Sequence, residues 1–284
     1  MWRLARKLDR EGFDTKRYVL EAREMCLLPT RIGPIWNAYG GYYYSPSQAI
    51  TFDYLLKYLP TNHPTRTVCL ASILMAASIC AAAPGHTAQP FRPTDTAGPY
   101  ILEAWGKDPT LYCENALRDI CPRHAKTRGF SVQADAIDVV EDLTEKDLVF
   151  IDPPYSGVQY SRFYHVLESI ATGQCQSVEG AGRYPPISDR PQSEYCNKTD
   201  AQNALEELLE SLADVGATLI FTFPAGTCSN GLSGNLVIET ASEWFNVYTK
   251  RAGGRFSTLG GNNAIRDARQ EANELILLMK PLGA

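Results

Sequence analysis

The sequence lacks several features that would assign it to a class of protein at once. Its eight cysteines form no CxxC pair and no cluster with histidine at zinc-site spacing, which is typical of free thiols in a reducing cytoplasm and predicts no metal site. A large excess of positive or negative charge is also missing, since 27 Lys and Arg face 32 Asp and Glu. The net charge of −5 does not indicate a nucleic-acid-binding protein, although a local basic face stays open.

Long apolar runs are missing as well. The N-terminal stretch "MWRLARKLDREGFD" is charged and contains no apolar segment of the kind found in signal peptides. The most apolar stretch is "TVCLASILMAASICAAA", which at about 17 residues is marginal for a membrane span. We interpret it as a buried helix and expect no membrane association.

The remaining composition is that of a globular protein, with 44% hydrophobic and 21% charged residues over 284 positions. This length suits one large domain, or one domain with a sizeable insertion. Strand-like segments alternate with helix-like ones, as in "GFSVQAD", "DLVFID" and "ATLIFTF", and "NVYTKRA" and "ELILLMK" follow as closing strands. The alternation predicts an α/β protein with a mostly parallel sheet.

One short stretch combines several chemically useful groups at the end of a strand. "DLVFID" predicts a buried parallel strand that delivers Asp152 to the sheet edge where ligands bind in such folds. Pro153 and Pro154 stiffen the loop and leave their carbonyls free to accept, and Tyr155 adds a flat aromatic surface. These groups are complementary to a planar ring that carries an exocyclic amino group. The alternative is an ordinary strand-to-turn connection, for which Asp-Pro-Pro is well suited.

The segment "DPPYSGVQYSRFYHVLESIA" resembles the catalytic motif of Dam-like adenine amino-methyltransferases of DNA, which use S-adenosylmethionine and often accompany restriction enzymes. Further similar segments are "LASILMAASICAAAPGHTAQPF", "SVQADAIDVVEDL" and "ATLIFTFPAG", so the resemblance covers most of the chain from Gly40 onward. It implies a Rossmann-like methyltransferase sheet, mostly parallel with an antiparallel closing hairpin, and loop-rich DNA-recognition insertions. The implied domains are the N-terminal part of the methyltransferase domain (1–83), a target-recognition insertion (84–128) and the catalytic domain (129–284).

The resemblance also implies roles for individual residues. In the catalytic set Asp152, Pro153, Pro154 and Tyr155, the Asp152 carboxylate and the Pro153 carbonyl would accept hydrogen bonds from the target amino group. Tyr155 would stack on a base flipped out of double-stranded DNA, in a pocket completed by Tyr160, Phe163 and Tyr164, for which core packing of a helix is the alternative. Positioning would carry most of the rate of direct methyl transfer, with no strong general base. His165 is more typical of a structural histidine.

For the cofactor, S-adenosylmethionine, the resemblance implies contacts from Asp152, Asp135 and Ala136, with Asp135 near the adenine amino group. A helix N-cap is the alternative role for Asp135, because it precedes "AIDVVEDL". Glu21 follows "RYVL" and is a candidate for the ribose contact, with a solvated helix residue as the alternative.

The segment 84–128 is rich in proline and mixed charge, with little periodicity outside a predicted helix near 110–121. Under the resemblance, several of its polar residues are candidates for contacts with DNA phosphates or base edges, and a solvated loop is the alternative. These candidates are His86, Gln89, Arg92, Arg123, His124, Lys126 and Arg128.

The family's Gly-rich turn, written roughly FxGxG, has no recognisable counterpart in the sequence. "AYGGYYYSP" and "RAGGRFSTLGGNN" contain glycine pairs without a strand–turn–helix context. The strand before this turn would lie beside the strand of Asp152, and its loss would leave buried edge groups without partners. Since the first residues resemble the helix after that turn, we expect a second polypeptide or an upstream segment to supply the turn and its strand. Divergence of the motif is the alternative.

Two other functions stay open. An RNA methyltransferase acting on a guanine amino group would use a similar turn, and a degenerate, non-catalytic nucleic-acid-binding subunit would explain the missing Gly-rich turn. The intact stretch Asp152–Tyr155 favours a catalytic protein, and "YSRFYH" with the long loop favours DNA over RNA. The leading prediction is an adenine-specific DNA methyltransferase, or its catalytic subunit, in restriction-modification or phage defence.

Overall fold

A computed structural model describes residues 14–28, 32–123, 125–175, 177–257 and 269–283, with side chains for all of these except 255–257 and 269–272. The helix predicted over residues 1–12 lies outside the described residues. The chain divides into two compact units. The first unit consists of residues 1–128 and 161–190, and the second consists of residues 129–160 and 191–284.

The described helices and strands follow one another in this order: α1 (Thr15–Leu27), α2 (Pro34–Tyr39), α3 (Pro46–Lys57), α4 (His63–Cys80), α5 (Gly98–Trp105), α6 (Pro109–Ile120), α7 (Ala136–Val140), β1 (Leu148–Ile151), α8 (Ser161–Thr172), α9 (Ala201–Val215), β2 (Thr218–Pro224), α10 (Gly234–Ala241), β3 (Phe245–Ser257) and β4 (Arg269–Pro281). Short 3₁₀ turns lie at Ile187–Asp189 and Glu194–Cys196. In the first unit the described elements are helical, whereas the second unit combines the sheet with α7, α9 and α10.

Polar side chains set the helix starts of the first unit. Ser45 and Gln48 form a reciprocal capping box at the start of α3, with bonds of 3.2 and 3.0 Å to each other's backbone N–H groups and Pro46 in the first turn. α2 is capped from α3, because the Asp53 carboxylate accepts from the N–H groups of two residues, Ile35 and Trp36, at 2.9 and 2.8 Å. Burial raises the pKa of Asp53, and these two hydrogen bonds oppose the rise.

The core of the first unit is rich in buried hydroxyl groups. Tyr39, Tyr43 and Tyr44 are fully buried. The Tyr43 hydroxyl lies 2.8 Å from the carbonyl oxygens of both Thr87 and Gly182, and the Tyr44 hydroxyl donates to the Ala77 carbonyl at 3.1 Å. Every tyrosine here therefore combines apolar burial with a polar partner, as burial of a phenol requires.

His165 belongs to the same buried network. Its two ring nitrogens lie 3.1 Å from the carbonyl oxygens of Arg162 and Gly182, and its ring packs edge-on against those of Tyr39 and Tyr43. Burial lowers the pKa of His165 to about 4, although the two carbonyl contacts favour the charged ring. The structural interpretation of this histidine agrees with this environment.

The second unit contains a four-stranded sheet with the order β1-β2-β4-β3. Strand β2 pairs in parallel with β1 and antiparallel with β4, and β4 pairs antiparallel with β3. The amphipathic helix α9 covers one face of the sheet with Leu205, Leu209 and Leu212, which join Phe221 and Phe223 of β2 in one apolar core.

The predicted α/β class and the antiparallel closing hairpin are confirmed, but the predicted parallel character is wrong for the described sheet. One of its three strand pairings is parallel, because β4 inserts between β2 and β3 and reverses the direction. A further strand beside β1 is not described, so the absence of the Gly-rich turn and its strand stays a prediction.

Two local predictions also differ from the structure. The segment 129–135 is not a strand but an exposed, irregular stretch that pairs with no described strand. β1 is not buried on both faces: Leu148 and Phe150 are 62% and 64% exposed. The exposure falls on one face of the strand, because Leu148 and Phe150 alternate with Val149 and Ile151, which pack against the core.

The apolar stretch supplies most of α4, which runs from His63 to Cys80. Its buried side includes Ile73, Ala76 and Ala77, while Met75 is 42% exposed. Within the described part of the chain, no helix combines the length and the apolar character needed to cross a bilayer.

Candidate active site

Asp152 directly follows β1 and lies at the carboxyl end of the parallel pair β1–β2, which is the edge predicted for ligand binding. Its side chain is exposed, whereas Pro153 behind it is buried. The hydroxyl of Thr222, near the end of β2, donates to Asp152 Oδ1 at 2.9 Å. The carboxylate is thus accessible to a ligand while one of its oxygens is held by the protein.

A loop after β2 supports the Asp-Pro-Pro-Tyr turn. The side-chain amide of Asn230, which is fully buried, donates to the carbonyls of Pro154 and Tyr195 at 3.0 and 2.9 Å. The N–H of Gly157 donates to the Ser229 hydroxyl at 2.9 Å. The turn is therefore fixed by tertiary hydrogen bonds in addition to its two prolines.

A cavity of about 680 Å³ opens beside this turn in the second unit. Its walls come from α7, β1, the segment Gln192–Tyr195 and α9, with apolar side chains such as Ile137, Val149 and Leu208. The volume falls in the range of small-molecule sites. Four carboxylates line it, and no Lys, Arg or His is among the described lining residues; the four are Asp135, Asp152, Glu194 and Glu207.

Asp135 lies on the rim of this cavity and also caps α7. Its Oδ1 accepts from the N–H of Ile137 at 3.3 Å, and its neighbour Ala136, the first residue of α7, lines the cavity too. The N-cap that the sequence offered as an alternative is therefore present in the structure. Cofactor contact by Asp135 and Ala136 stays a prediction, because a cap and a ligand contact can coexist in one exposed carboxylate.

The residues predicted to surround the target base are divided between the two units. Tyr155 and Tyr160 belong to the second unit. Phe163 and Tyr164 lie on α8 of the first unit. Phe163 is buried, with its ring centroid 5.5 Å from that of His86, whereas Tyr164 is 41% exposed. Burial of Phe163 agrees with the core-packing alternative for that residue, and the base pocket as a whole stays a prediction.

Glu21 lies in α1 of the first unit, where both it and its ion-pair partner Arg17, at 2.7 Å, are exposed. Of the seven candidate DNA-contact residues of 84–128, six are exposed: His86, Gln89, Arg92, Arg123, Lys126 and Arg128. The seventh, His124, lies outside the described residues. Their roles stay predictions.

Sequence reasoning missed Thr222 and Asn230. Thr222 interrupts the apolar strand "TLIFTF" near the end that points towards the ligand edge, which is a usable signal because polar residues at that end of a parallel strand tend to serve the site. Asn230 carries no such signal. Its role depends on a loop of the fold that brings it against residues 76 and 35 positions away in the chain.

The central segment of the chain is similar to a known family of proteins. Residues 107–220 match the family model of D12 class N6 adenine-specific DNA methyltransferases, and this segment includes Asp135 and Asp152–Tyr155. The predicted resemblance to adenine-specific DNA amino-methyltransferases is thereby confirmed.

Three similar proteins are named as type II methyltransferases or as a modification methylase. The chain is 33% identical over 116 residues to the type II methyltransferase M.FokI of Planomicrobium okeanokoites, a match covering 40% of this chain and 17% of that protein. It is 32% identical over 77 residues to the type II methyltransferase M.NlaIII of Neisseria lactamica, covering 27% and 22%. It is 26% identical over 121 residues to the modification methylase StsI of Streptococcus sanguinis, covering 42% and 18%.

The chain thus spans about a fifth of the length of these relatives. No solved structure matches it significantly.

Proposed function

We propose that this chain is the catalytic part of a DNA methyltransferase that transfers a methyl group from S-adenosylmethionine to the N6 amino group of adenine. The observation that carries the proposal is the exposed Asp152 carboxylate, fixed at the carboxyl end of β1 on the rim of a cavity of about 680 Å³. The names of the relatives support a role in restriction-modification. Free cysteines suit a protein that acts on DNA in the cytoplasm.

The cavity fits the proposed cofactor in charge and shape. Its four lining carboxylates, without a lining cation among the described residues, favour a positively charged ligand. Asp135 and Ala136 would contact the cofactor's adenine, and its methionine part would lie towards Asp152. S-adenosylmethionine, when bound, supplies an electrophilic methyl group attached to a sulfonium.

The residues of the turn would position the target amine. Asp152 Oδ2 receives no hydrogen bond from the described part of the chain and is available to accept one N–H of the amine, while the Pro153 carbonyl would accept the other. Both acceptors would direct the nitrogen lone pair towards the methyl group of the cofactor, and Tyr155 would stack on the flipped base. The carboxylate is also the nearest acceptor for the proton that the nitrogen must lose.

The charge of the two units supports DNA contact by the first. The first unit carries 19 Lys and Arg against 14 Asp and Glu, a net charge of +5, while the second carries 8 against 18, a net charge of −10. We propose that the exposed basic residues of 84–128 contact DNA phosphates. Replacing Arg123, Lys126 and Arg128 by alanine should reduce the slope of log K against log salt by about 3, if each contacts one phosphate.

A partner strand is the second component of the proposal. β1 pairs with β2 along one side, and no described strand pairs with its other side, which leaves a strand edge of the kind that native proteins usually cover. We propose that a strand supplied by an upstream segment or another polypeptide pairs with β1 and brings the Gly-rich turn that completes the cofactor site. Cofactor titration of this chain alone tests the idea, because tight binding without a partner would contradict it.

The activity is tested by transfer of a labelled methyl group to duplex DNA and, in parallel, to ribosomal RNA. We expect labelling of adenine N6 in DNA, a loss of about 10³-fold or more in Asp152→Ala, and no loss in Asp138→Ala, an exposed acid outside the cavity. Labelled guanine in RNA would instead establish the RNA methyltransferase. No labelling of either, even with the co-purifying polypeptides present, would identify a non-catalytic subunit.

A further inference from the structure

The Asp152 carboxylate is oriented by the neighbouring strand. β1 and β2 are in parallel register with Ile151 opposite Phe221, so the next residue of each strand, Asp152 and Thr222, also stand side by side. The Thr222 hydroxyl donates to Asp152 Oδ1 at 2.9 Å, while its distance to the Ile151 carbonyl is 3.5 Å. A hydroxyl has one proton, and the shorter contact to a charged acceptor is the stronger one. Thr222 therefore fixes Oδ1 and leaves Oδ2 for a ligand.

The two carbonyls of the turn are not equivalent. The Pro154 carbonyl accepts a proton from the Asn230 amide at 3.0 Å, whereas the Pro153 carbonyl receives no hydrogen bond from the described part of the chain. The same amide uses its second proton on the Tyr195 carbonyl, and its oxygen accepts from the N–H of Leu232 at 3.3 Å. A fully buried amide with both donors used is a rigid clamp, since each bond would be costly to leave unmade.

Close packing reinforces this clamp. The N–H of Gly157 donates to the Ser229 hydroxyl, and a Cβ at Gly157 would lie 2.9 Å from the Ser229 carbonyl oxygen. The absence of a side chain at Gly157 therefore lets the two loops approach closely. The Asn230 amide also joins the turn to Tyr195, in the wall of the cavity. The Asn230 amide thus connects the cavity wall to the turn.

We propose that Thr222 and Asn230 are positioning residues for the methyl transfer. Thr222 would set the direction of the carboxylate, and Asn230 would hold the Pro154 carbonyl back so that the Pro153 carbonyl is the second acceptor. The proposal rests on the proposed function and assigns these two roles to residues outside the Asp-Pro-Pro-Tyr turn.

Thr222→Val is the sharpest test, because it removes the hydroxyl and keeps the shape of the side chain. We expect kcat to fall by about 10-fold or more while KM for DNA changes by less than about 2-fold, since the hydroxyl orients a reacting group and does not touch the substrate. Thr222→Ser restores the donor and should return kcat to within about 3-fold of the wild type.

Thr218→Val is the matched control. Thr218 is the first residue of the same strand, is half-buried like Thr222, and lies at the opposite end from Asp152. Its variant should keep kcat, and all three variants should keep the thermal midpoint of the wild type within a few degrees. A Thr222→Val enzyme with unchanged kcat, or one whose loss is matched by Thr218→Val, would overturn the proposal. The assays use the full chain with any polypeptide that co-purifies.

Crystal structures of the wild type and Thr222→Val separate this inference from the proposed function. If the wild type methylates neither DNA nor RNA, the proposed function fails, and the structures still report on Thr222. A carboxylate of Asp152 that turns away or takes several orientations in the variant supports the positioning role. A carboxylate that stays in one place in both structures contradicts it.

Discussion

The two units differ in what holds their cores together. In the first, buried tyrosines and a buried histidine bond to backbone carbonyls, as Tyr43 does to Gly182. In the second, aliphatic and phenylalanine side chains of α9 and β2 fill the core, with Leu209 and Phe221 among the fully buried ones. The first core depends on the geometry of single hydrogen bonds, and the second depends on filled volume.

The charges of the units follow the same division. The acidic unit, at −10, contains the carboxylate-lined cavity, and the unit at +5 contains the exposed basic residues of 84–128. A cationic methyl donor suits the acidic second unit, and a polyanion such as DNA suits the basic first unit. The whole-chain charge of −5 conceals this division. Under the proposed function, the methyl transfer and the DNA contacts belong to different units, which substitutions can disturb separately.

The largest effect on stability should come from volume in the second unit. Leu209 is fully buried on α9, so Leu209→Ala should lower the free energy of unfolding by about 4 kcal/mol through lost burial and a cavity. Urea denaturation measures this loss. Glu210→Ala, at the next and exposed position, should change it by less than about 0.5 kcal/mol. A loss below about 1 kcal/mol for Leu209→Ala would mean that this core is not tightly packed.

The first unit should instead respond to pH through His165. Burial lowers its pKa in the folded state to about 4, below the usual value of 6.5, so between these values the unfolded chain binds more protons. The contribution of neutral His165 to the free energy of unfolding is therefore fully present above pH 6.5. It is lost as the pH falls towards 4, by up to about 3 kcal/mol.

The variant His165→Gln isolates this contribution. The stability gap between wild type and variant should narrow as the pH falls from 6.5 to 4, in urea denaturations at a series of pH values. His63→Gln, at an exposed position, should keep the wild-type slope. A gap that stays constant across this range would show that His165 is not held neutral by the fold.

The sequence predicted elements of both units, such as α4 and α6 in the first and the closing hairpin in the second. Periodicity located α9, β2 and the closing hairpin, because each of these elements has one consistently apolar face. It also identified Asp152–Tyr155, since four unusual residues at a strand end form a local signal. The antiparallel insertion of β4 beside β2 was not predictable, because pairing order depends on contacts between distant segments.

The side-chain hydrogen bonds of the first unit were not predictable either, because they also join distant segments of the chain. Asp53 caps a helix 17 and 18 residues away, and Tyr43 bonds to a carbonyl 139 residues away. Neither partner is marked by periodicity or by a local motif. Asn230, the buried clamp of the candidate site, belongs to this group although it lies in the second unit. Long-range hydrogen bonds of single polar residues are thus what the sequence reading misses.

Removing the buried hydroxyl of Tyr43 tests whether hydrogen bonds stabilise the core of the first unit. Tyr43→Phe keeps the buried ring and leaves the carbonyls of Thr87 and Gly182 without this donor, so we expect a loss of about 2 kcal/mol. Thermal or urea unfolding measures it. Tyr58→Phe, on an exposed tyrosine of the same unit, should be neutral within about 0.5 kcal/mol. A neutral Tyr43→Phe would show that the first core is held by apolar packing alone.

The smallest expected effect separates the two roles of Asp135. Asp135→Ala removes both the cap of α7 and a cavity carboxylate, and should cost about 1 kcal/mol of stability. Asp135→Ser keeps a capping oxygen and removes only the charge, so its stability should stay within about 0.5 kcal/mol of the wild type. If Asp135 contacts the cofactor, both variants should weaken its binding equally in calorimetric titration of the complete complex. Binding retained in Asp135→Ser would leave Asp135 as a helix cap, and the cofactor's adenine would then need another acceptor in the cavity, for which Glu194 and Glu207 are the remaining carboxylates of the wall.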